Sequence, residues 1–491
     1  MSPSGQSPPG ADVAPRRSPP GPRLIAMPTA TGGPPSVPPP SVPLSFLAAA
    51  GVGSVAFGLG AALAADTAVI APTSPGVIGA VHLGVLAFLT TAVLGAMHQF
   101  TPVVSQRPLR SVAVARVTLV LFVVGAWTLA SGFAHGPEAL VPTGGLLAAS
   151  AVVLAMWNLS HALAGEGGIP LVGLRLSSAY LVVTVTFGVV YAFDRQAGWF
   201  PLLSHRVLAH AHLGLLGWLG LTYLAVAEKL WPMFLLAHRP SNRSGAWGVG
   251  LLAGGTAVLA TGLLFALPVV TGVGAVAVTG GLAAHLTSLA GNVRHRRRGL
   301  ELLHAYLFAS VAALVAAVAL GAVAGLADVS TLTRTRLVSA EVAALVAWLA
   351  LAVTGHAHKI VPFVTYGALR SRGIRTNTEG KPLLFAHLVD ARAARAGYVL
   401  ACTGFASLVV GLAVGSATVV SVGGIAVALT GIVVTVNLAL GWRRAGPPAV
   451  LPSVGPPTST SALSAAPSSP PATPPTPVPS PSTDTASRSS R

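Results

Sequence analysis

Six histidines of this chain sit inside three equivalent apolar stretches, near 77–104, 206–230 and 337–366, and their spacing limits the chemistry they can do. His82 and His98 lie in the first stretch, His210 and His212 in the second, His356 and His358 in the third. All six interrupt long apolar runs. Imidazole is a common ligand of haem iron, copper and zinc, and helix bundles build such sites from facing side chains. An ionisable group within a membrane is costly, so each is a functional candidate by default. Two further readings stay open for the same set: neutral histidines serving as polar glue between helices, and a proton relay. The other eight (His135, His161, His205, His238, His285, His295, His304 and His387) map to loops or helix ends, where a solvated side chain is expected.

Helix geometry sorts the six. Residues two apart on an α-helix point about 200° away from each other. His210 and His212 therefore cannot chelate one metal from one face, nor can His356 and His358; each pair addresses two different neighbours. His82, His210 and His212 lie near the starts of their helices, whereas His98 sits about 24 Å beyond His82 by helix rise. One site is thus expected to join His82 with His210 or His212, and a second to join His98 with His356 or His358. Glu228, Lys229 and Lys359 fall at the level of the second site. Glu228 with Lys359 would make an interhelical ion pair or a polar path for protons, unless both side chains simply reach out to the interface.

The elements that carry these residues repeat. Residues 82–102, 212–232 and 342–362 align at a constant interval, with Pro102, Pro232 and Pro362, Leu89, Leu219 and Leu349, and the aromatics Phe88, Trp218 and Trp348 in register. His98, Glu228 and His358 each stand four residues before the proline. Such self-similarity marks one structural unit used three times.

Composition fixes the class. The chain is 53% hydrophobic and 8% charged, with a mean hydropathy of +0.74. A bilayer core of about 30 Å needs roughly 20 apolar residues per helix. Twelve such segments are expected, near 44–64, 77–104, 111–132, 140–163, 173–193, 206–230, 246–267, 269–291, 302–326, 337–366, 396–414 and 418–441. The sequence thus predicts an all-α polytopic membrane protein. Its domain (44–443) consists of three pseudo-symmetric four-helix units, at about 44–165, 173–293 and 302–443. The apolar runs are too long for the alternating strands of a barrel.

Of 29 Lys and Arg, 16 fall in the five loops after even-numbered segments and only four (Arg195, Arg206, Arg334 and Arg336) on the opposite side. The positive-inside rule then places both termini in the cytoplasm of a bacterial-type inner membrane. The net charge of +17 reads as an orientation signal rather than a nucleic-acid footprint, because no folded basic domain accompanies it. Residues 1–43 and 444–491, rich in Pro, Ser, Thr and Gly, are expected to be disordered tails. The first 43 residues lack the apolar core of a cleavable signal peptide. Cys402 is the sole cysteine, so no disulfide or thiolate cluster is expected.

Twelve helices in three four-helix units, with histidines on the second helix of each, resemble subunit I of the haem–copper oxidase superfamily. His82 followed twenty residues later by Pro102 looks like that family's haem ligand on its second helix. His210 or His212 looks like its copper ligand on the sixth, and His356-Ala-His358 is similar to the pair on the tenth that serves two haems. Segment seven lacks the family's adjacent copper histidines, and Gly214 and Leu216 stand where many members have a tyrosine. The stretches beginning at His212 and His358 look closer to divergent stand-alone members, the NnrS-type proteins associated with haem, copper and nitric-oxide stress. The resemblance implies haem b, and also copper, bound through His82, His210, His212, His356 and His358. It implies a role in electron transfer, gas sensing or nitric-oxide stress rather than oxygen reduction, and respiratory-complex subunits as partners alongside the lipid bilayer. A proton-coupled transporter and a cofactor-free assembly partner are the rival expectations.

Overall fold

The computed structural model of the chain describes residues 37–238 and 243–447. Twelve helices are long and apolar enough to cross a membrane: α1 (Ser41–Leu63), α2 (Pro75–Ser105), α3 (Val112–Ala134), α4 (Leu140–Leu163), α5 (Gly168–Ala197), α6 (Ser204–Leu235), α7 (Arg243–Leu264), α8 (Pro268–Arg294), α9 (Leu302–Leu326), α10 (Thr331–Ser371), α11 (Ala391–Val414) and α12 (Ala417–Arg444). A helix satisfies its backbone groups from within the segment and leaves apolar side chains facing the lipid. The ends follow from local chemistry: Pro75 and Pro268 open helices at a position where no amide is needed, and Ser111, Ser330, Asp390 and Ser416 accept from the amide three residues on. Gly198 and Gly415 close α5 and α11 in the left-handed conformation. Of the tails expected to be disordered, only residues 37–43 and 444–447 are described, and Ser41–Pro43 already belong to α1; the rest of that expectation lies outside the described residues.

Three helices form the centre. Of the apolar 18-residue stretch of each helix, 61% is buried inside the bundle in α2, 67% in α6 and 56% in α10, against 22–44% in the other nine. These are the histidine-bearing helices, and α10 touches both of the others. The remaining helices ring them, and α1 packs along α12 to close the ring. That closure depends on small residues: a Cβ on Gly58 would meet Ala428 N at 2.3 Å, and one on Gly424 would meet Ala62 N at 2.6 Å. With an even number of crossings, α1 begins and α12 ends on one face, here called basal; the opposite face is distal.

The repeat visible in the sequence is physical. Trp218 donates from Nε1 to Thr90 Oγ1 on α2 at 3.2 Å, and Trp348 abuts Gly220 on α6, 130 residues after Thr90. Phe46 stacks on His98 (5.4 Å, 23°) and Tyr306 on His358 (5.2 Å, 26°), and both members of the second pair lie two repeat intervals after those of the first. Equivalent positions thus make equivalent contacts. The middle copy carries Leu176 and Glu228 at these places. Residues 372–390 interrupt the register of the third unit. The isolated bridge Thr376–Pro382 closes this insertion on itself, and Asn377–Ala445 ties it to the end of α12.

One local feature was not expected. Residues Leu83–Thr90 of α2 and Leu213–Gly220 of α6 are wound as π-helix, and each begins one residue after a histidine, His82 or His212. The corresponding part of α10 is ordinary α-helix. Wider turns of this kind are frequent at functional sites.

Candidate functional site

A cavity of about 620 Å³ opens the distal half of the bundle, walled by helices of all three units. His82 and His210 both line it, along with Phe133, Tyr191 and otherwise largely apolar residues of the inner helices. His82 donates from Nδ1 to the Ile78 carbonyl at 2.8 Å and stacks on Phe133 at 5.5 Å. The Nδ1 bond fixes the tautomer and leaves Nε2 with its lone pair, as in histidines that ligate metals. The His210 ring lies against α5, edge-on to Tyr191 at 5.8 Å and beside Gly188. A Cβ at Gly188 would come within 3.2 Å of His210 Cε1. His210 Nδ1 is buried without a hydrogen bond. Arg195 and Arg334 also border the cavity, which has no carboxylate in its lining. The Arg195 guanidinium lies over the Phe133 ring at 5.2 Å.

His212 is turned elsewhere. Its Nε2 lies 3.6 Å from Glu341 Oε1 on α10, and its Nδ1 donates to the Leu208 carbonyl. Of the two candidates on α6, His210 therefore shares a cavity with His82 while His212 forms a separate pair. Among the described residues, no group of three or more His, Cys, Asp or Glu side chains converges. His98, the remaining metal-ligand candidate of the sequence, lies at the other, basal level of the bundle on α2.

At the level of the second expected site the histidines face different aromatic rings. His98 is buried against Phe46 of α1, His358 against Tyr306 of α9, and His356 against Tyr223 and Phe234 of α6. The 1,3 relation of His356 and His358 sends them to different partners, as helix geometry requires. All three donate from Nδ1 to the carbonyl four residues earlier, and all three leave Nε2 buried without a hydrogen bond. A second cavity of about 470 Å³, between α1, α2, α10, α11 and α12, is lined by none of them.

The expected Glu228–Lys359 pair is replaced by two others. Lys359 Nζ reaches Glu301 Oε2 at 2.5 Å, at the basal start of α9, where Arg298 also pairs with Glu301 at 3.2 Å. Burial works to raise the Glu301 carboxyl, but Lys359, Arg298 and His304 outweigh it and hold it below its ordinary range. Glu228 turns to α8 instead: Ser288 donates to its Oε2 at 3.1 Å, and His285 Nδ1 lies 3.6 Å from its Oε1. Lys229 is exposed.

His285 and His304 correct the expectation that they lie solvated at helix ends. His285 sits within α8 and is 1% exposed; His304, in the first turn of α9, is 2% exposed. A sequence signal for His285 existed in the spacing His285, Ser288, Asn292, which puts three polar side chains on one helical face. All three are buried.

Comparison with known protein families and with curated proteins yields no match. The chemistry therefore has to be read from the arrangement itself. It has two parts: a large apolar cavity holding two imidazoles distally, and a buried carboxylate–imidazole seam basally.

Proposed function

We propose that this protein binds haem b in the distal cavity, with His82 and His210 as the ligating side chains. The observation that carries this reading is that imidazoles from two different repeat units line one cavity. Its volume lies within the range of roughly 300–1,000 Å³ usual for cofactor pockets. The residues present suit the group: a ring fixed by the Ile78 carbonyl, a buried ring nitrogen of His210 without a partner, apolar walls and two arginines. When bound, haem would supply a one-electron iron centre and a coordination site for a diatomic gas. The chain's own contribution is to orient the imidazoles, exclude bulk water with apolar side chains, and offer cationic Arg195 and Arg334 to anionic groups.

This reading favours electron transfer, gas sensing or nitric-oxide stress over oxygen reduction, because the described residues supply no three-ligand copper cluster beside the two imidazoles. The bias of Lys and Arg toward the basal loops puts that face in the cytoplasm of a bacterial-type inner membrane. The cavity then opens toward the extracytoplasmic side. Other respiratory-complex subunits are the partners this role would require.

Haemin titrated into the detergent-purified chain should give a Soret band that shifts on reduction. His82→Ala and His210→Ala should each weaken it, and His212→Ala should leave it intact. A wild-type preparation that takes up no haem would overturn the proposal.

A further inference from the structure

The basal half holds a buried titratable group that the distal cavity does not use. We propose that Glu228 and His285 share one proton and exchange it with water at the basal face, along the Ser288–Asn292 side of α8. This proton half-channel would end in the middle of the bundle.

The geometry is specific. Glu228 of α6 is 6% exposed, and His285 of α8 is 1% exposed with its Nδ1 3.6 Å from the carboxylate. With one proton between them the pair is neutral, whether the proton sits on the carboxyl or completes an imidazolium–carboxylate pair. Adding or removing a proton would leave a net charge in an apolar interior, so the singly protonated state is favoured and the proton is free to change sides. Ser288 holds the other carboxylate oxygen.

A path leads toward the basal face. Asn292 is one turn below Ser288 on the same side of α8, and its Oδ1 is buried without a hydrogen bond. Trp231 Nε1, one turn below Glu228 on α6, is in the same condition, as is Nε2 of His285. Each unpartnered buried polar atom costs about 1–3 kcal/mol, and water bridging several of them is the usual remedy. Trp231 also meets the buried ring of His304, which accepts from the Glu301 amide beside the half-exposed Glu301–Lys359 pair. The series thus runs from a solvated ion pair to the membrane interior.

Toward the distal face the series stops. Tyr223 lies 5.5 Å from His285 and 6.3 Å from His356, ring to ring. Beyond them Leu216, Leu219, Leu345, Val346 and Leu349 are packed into the main hydrophobic core. The titratable groups facing the pair are therefore Tyr223 from α6, His304 and Glu301 from α9, and His356 and Lys359 from α10. The membrane part of α7, which packs against α8, carries no ionisable residue between Gly245 and Leu264. Each proton that enters from basal water replaces one that leaves the pair by the same route, so the pair stays singly protonated.

The test needs no haem, so it stands or falls apart from the cofactor proposal. Infrared difference spectra of the full chain, reconstituted with known orientation in lipid vesicles, are recorded while the pH of each aqueous face is changed separately. A carboxyl band absent in Glu228→Gln should respond to the basal pH only and shift in deuterated buffer. Asn292→Leu, which keeps both members of the pair, should slow that exchange at least tenfold. A proton-sensitive dye trapped in the vesicles should report no leak across the membrane. If Glu228→Gln fails to fold, Glu228→Asp, which keeps a carboxyl but moves its band, identifies it. A Glu228 band that never exchanges, that answers to the distal pH, or whose exchange is indifferent to Asn292→Leu would overturn the proposal.

Discussion

The distal and basal halves of this bundle use α6 for opposite ends, with α2 as its partner in the one and α8 in the other. In the distal half, His82 and His210 stand at the wall of a cavity, each held by its own local contacts. In the basal half, Glu228, His285, Ser288 and Asn292 are packed against one another with hardly any exposure. The difference follows from the side chains that the repeat places at each level. Gly188 makes room beside His210, while Glu228, standing where the other two units have histidine, requires a partner and finds one on α8. A triplicated scaffold can thus carry one open site and one sealed polar seam without a change of fold.

That contrast can be broken by experiment, and the largest effect belongs to the seam. Glu228→Ala leaves His285 buried without its carboxylate and should cost about 3–5 kcal/mol, read from unfolding in mixed micelles; Glu228→Gln should recover much of it. A smaller loss is expected from the two equivalent stacks. Phe46→Leu and Tyr306→Leu should each destabilise by about 0.5–1.5 kcal/mol, and unequal losses would argue against mechanical equivalence of the first and third units. For the cavity wall the expectation is lower again: His82→Ala should cost about 1 kcal/mol or less in the cofactor-free protein while weakening haem uptake. Should His82→Ala prove as destabilising as Glu228→Ala, the distinction between open site and sealed seam fails.

The smallest effect is electrostatic and depends on pH. The Glu301 carboxyl is held below its ordinary value of 4.5. Its contribution is therefore complete above that value and disappears as the pH falls below it, through the lower value of the folded state. Glu301 is half-exposed, so screening limits the effect to about 0.5 kcal/mol. Melting curves of the wild type and Glu301→Gln should diverge at pH 6 and converge toward pH 3.5.

Much of the architecture was legible in the chain because its signals are local. Apolar runs of sufficient length give twelve crossings, and Pro102, Pro232 and Pro362 mark the threefold repeat. The 1,3 spacing of His210 and His212 sufficed to predict that they serve different neighbours, Tyr191 and Glu341. What composition does not encode is how helices turn against each other. Glu228 and Lys359 share a depth, yet α6 presents Glu228 to α8, while α10 presents Lys359 to the start of α9. The π-wound segments after His82 and His212 escaped notice because an extra residue per turn leaves no mark in hydropathy. They also undo any extrapolation of facing from His82 to His98. His285 was lost for a different reason: its partners, three and seven residues on, are small polar residues that an apolar run conceals.

The closure of α1 on α12 has a consequence for how the chain could be rearranged. Both helices have their outer chain ends on the basal face, so the ring has no structural beginning. Joining the two ends by a linker and opening the chain between α4 and α5 should yield a circular permutant with the same bundle. In such a permutant the middle unit would be synthesised first. Whether Glu228 and His285 still find each other would then report how far this architecture depends on its order of insertion.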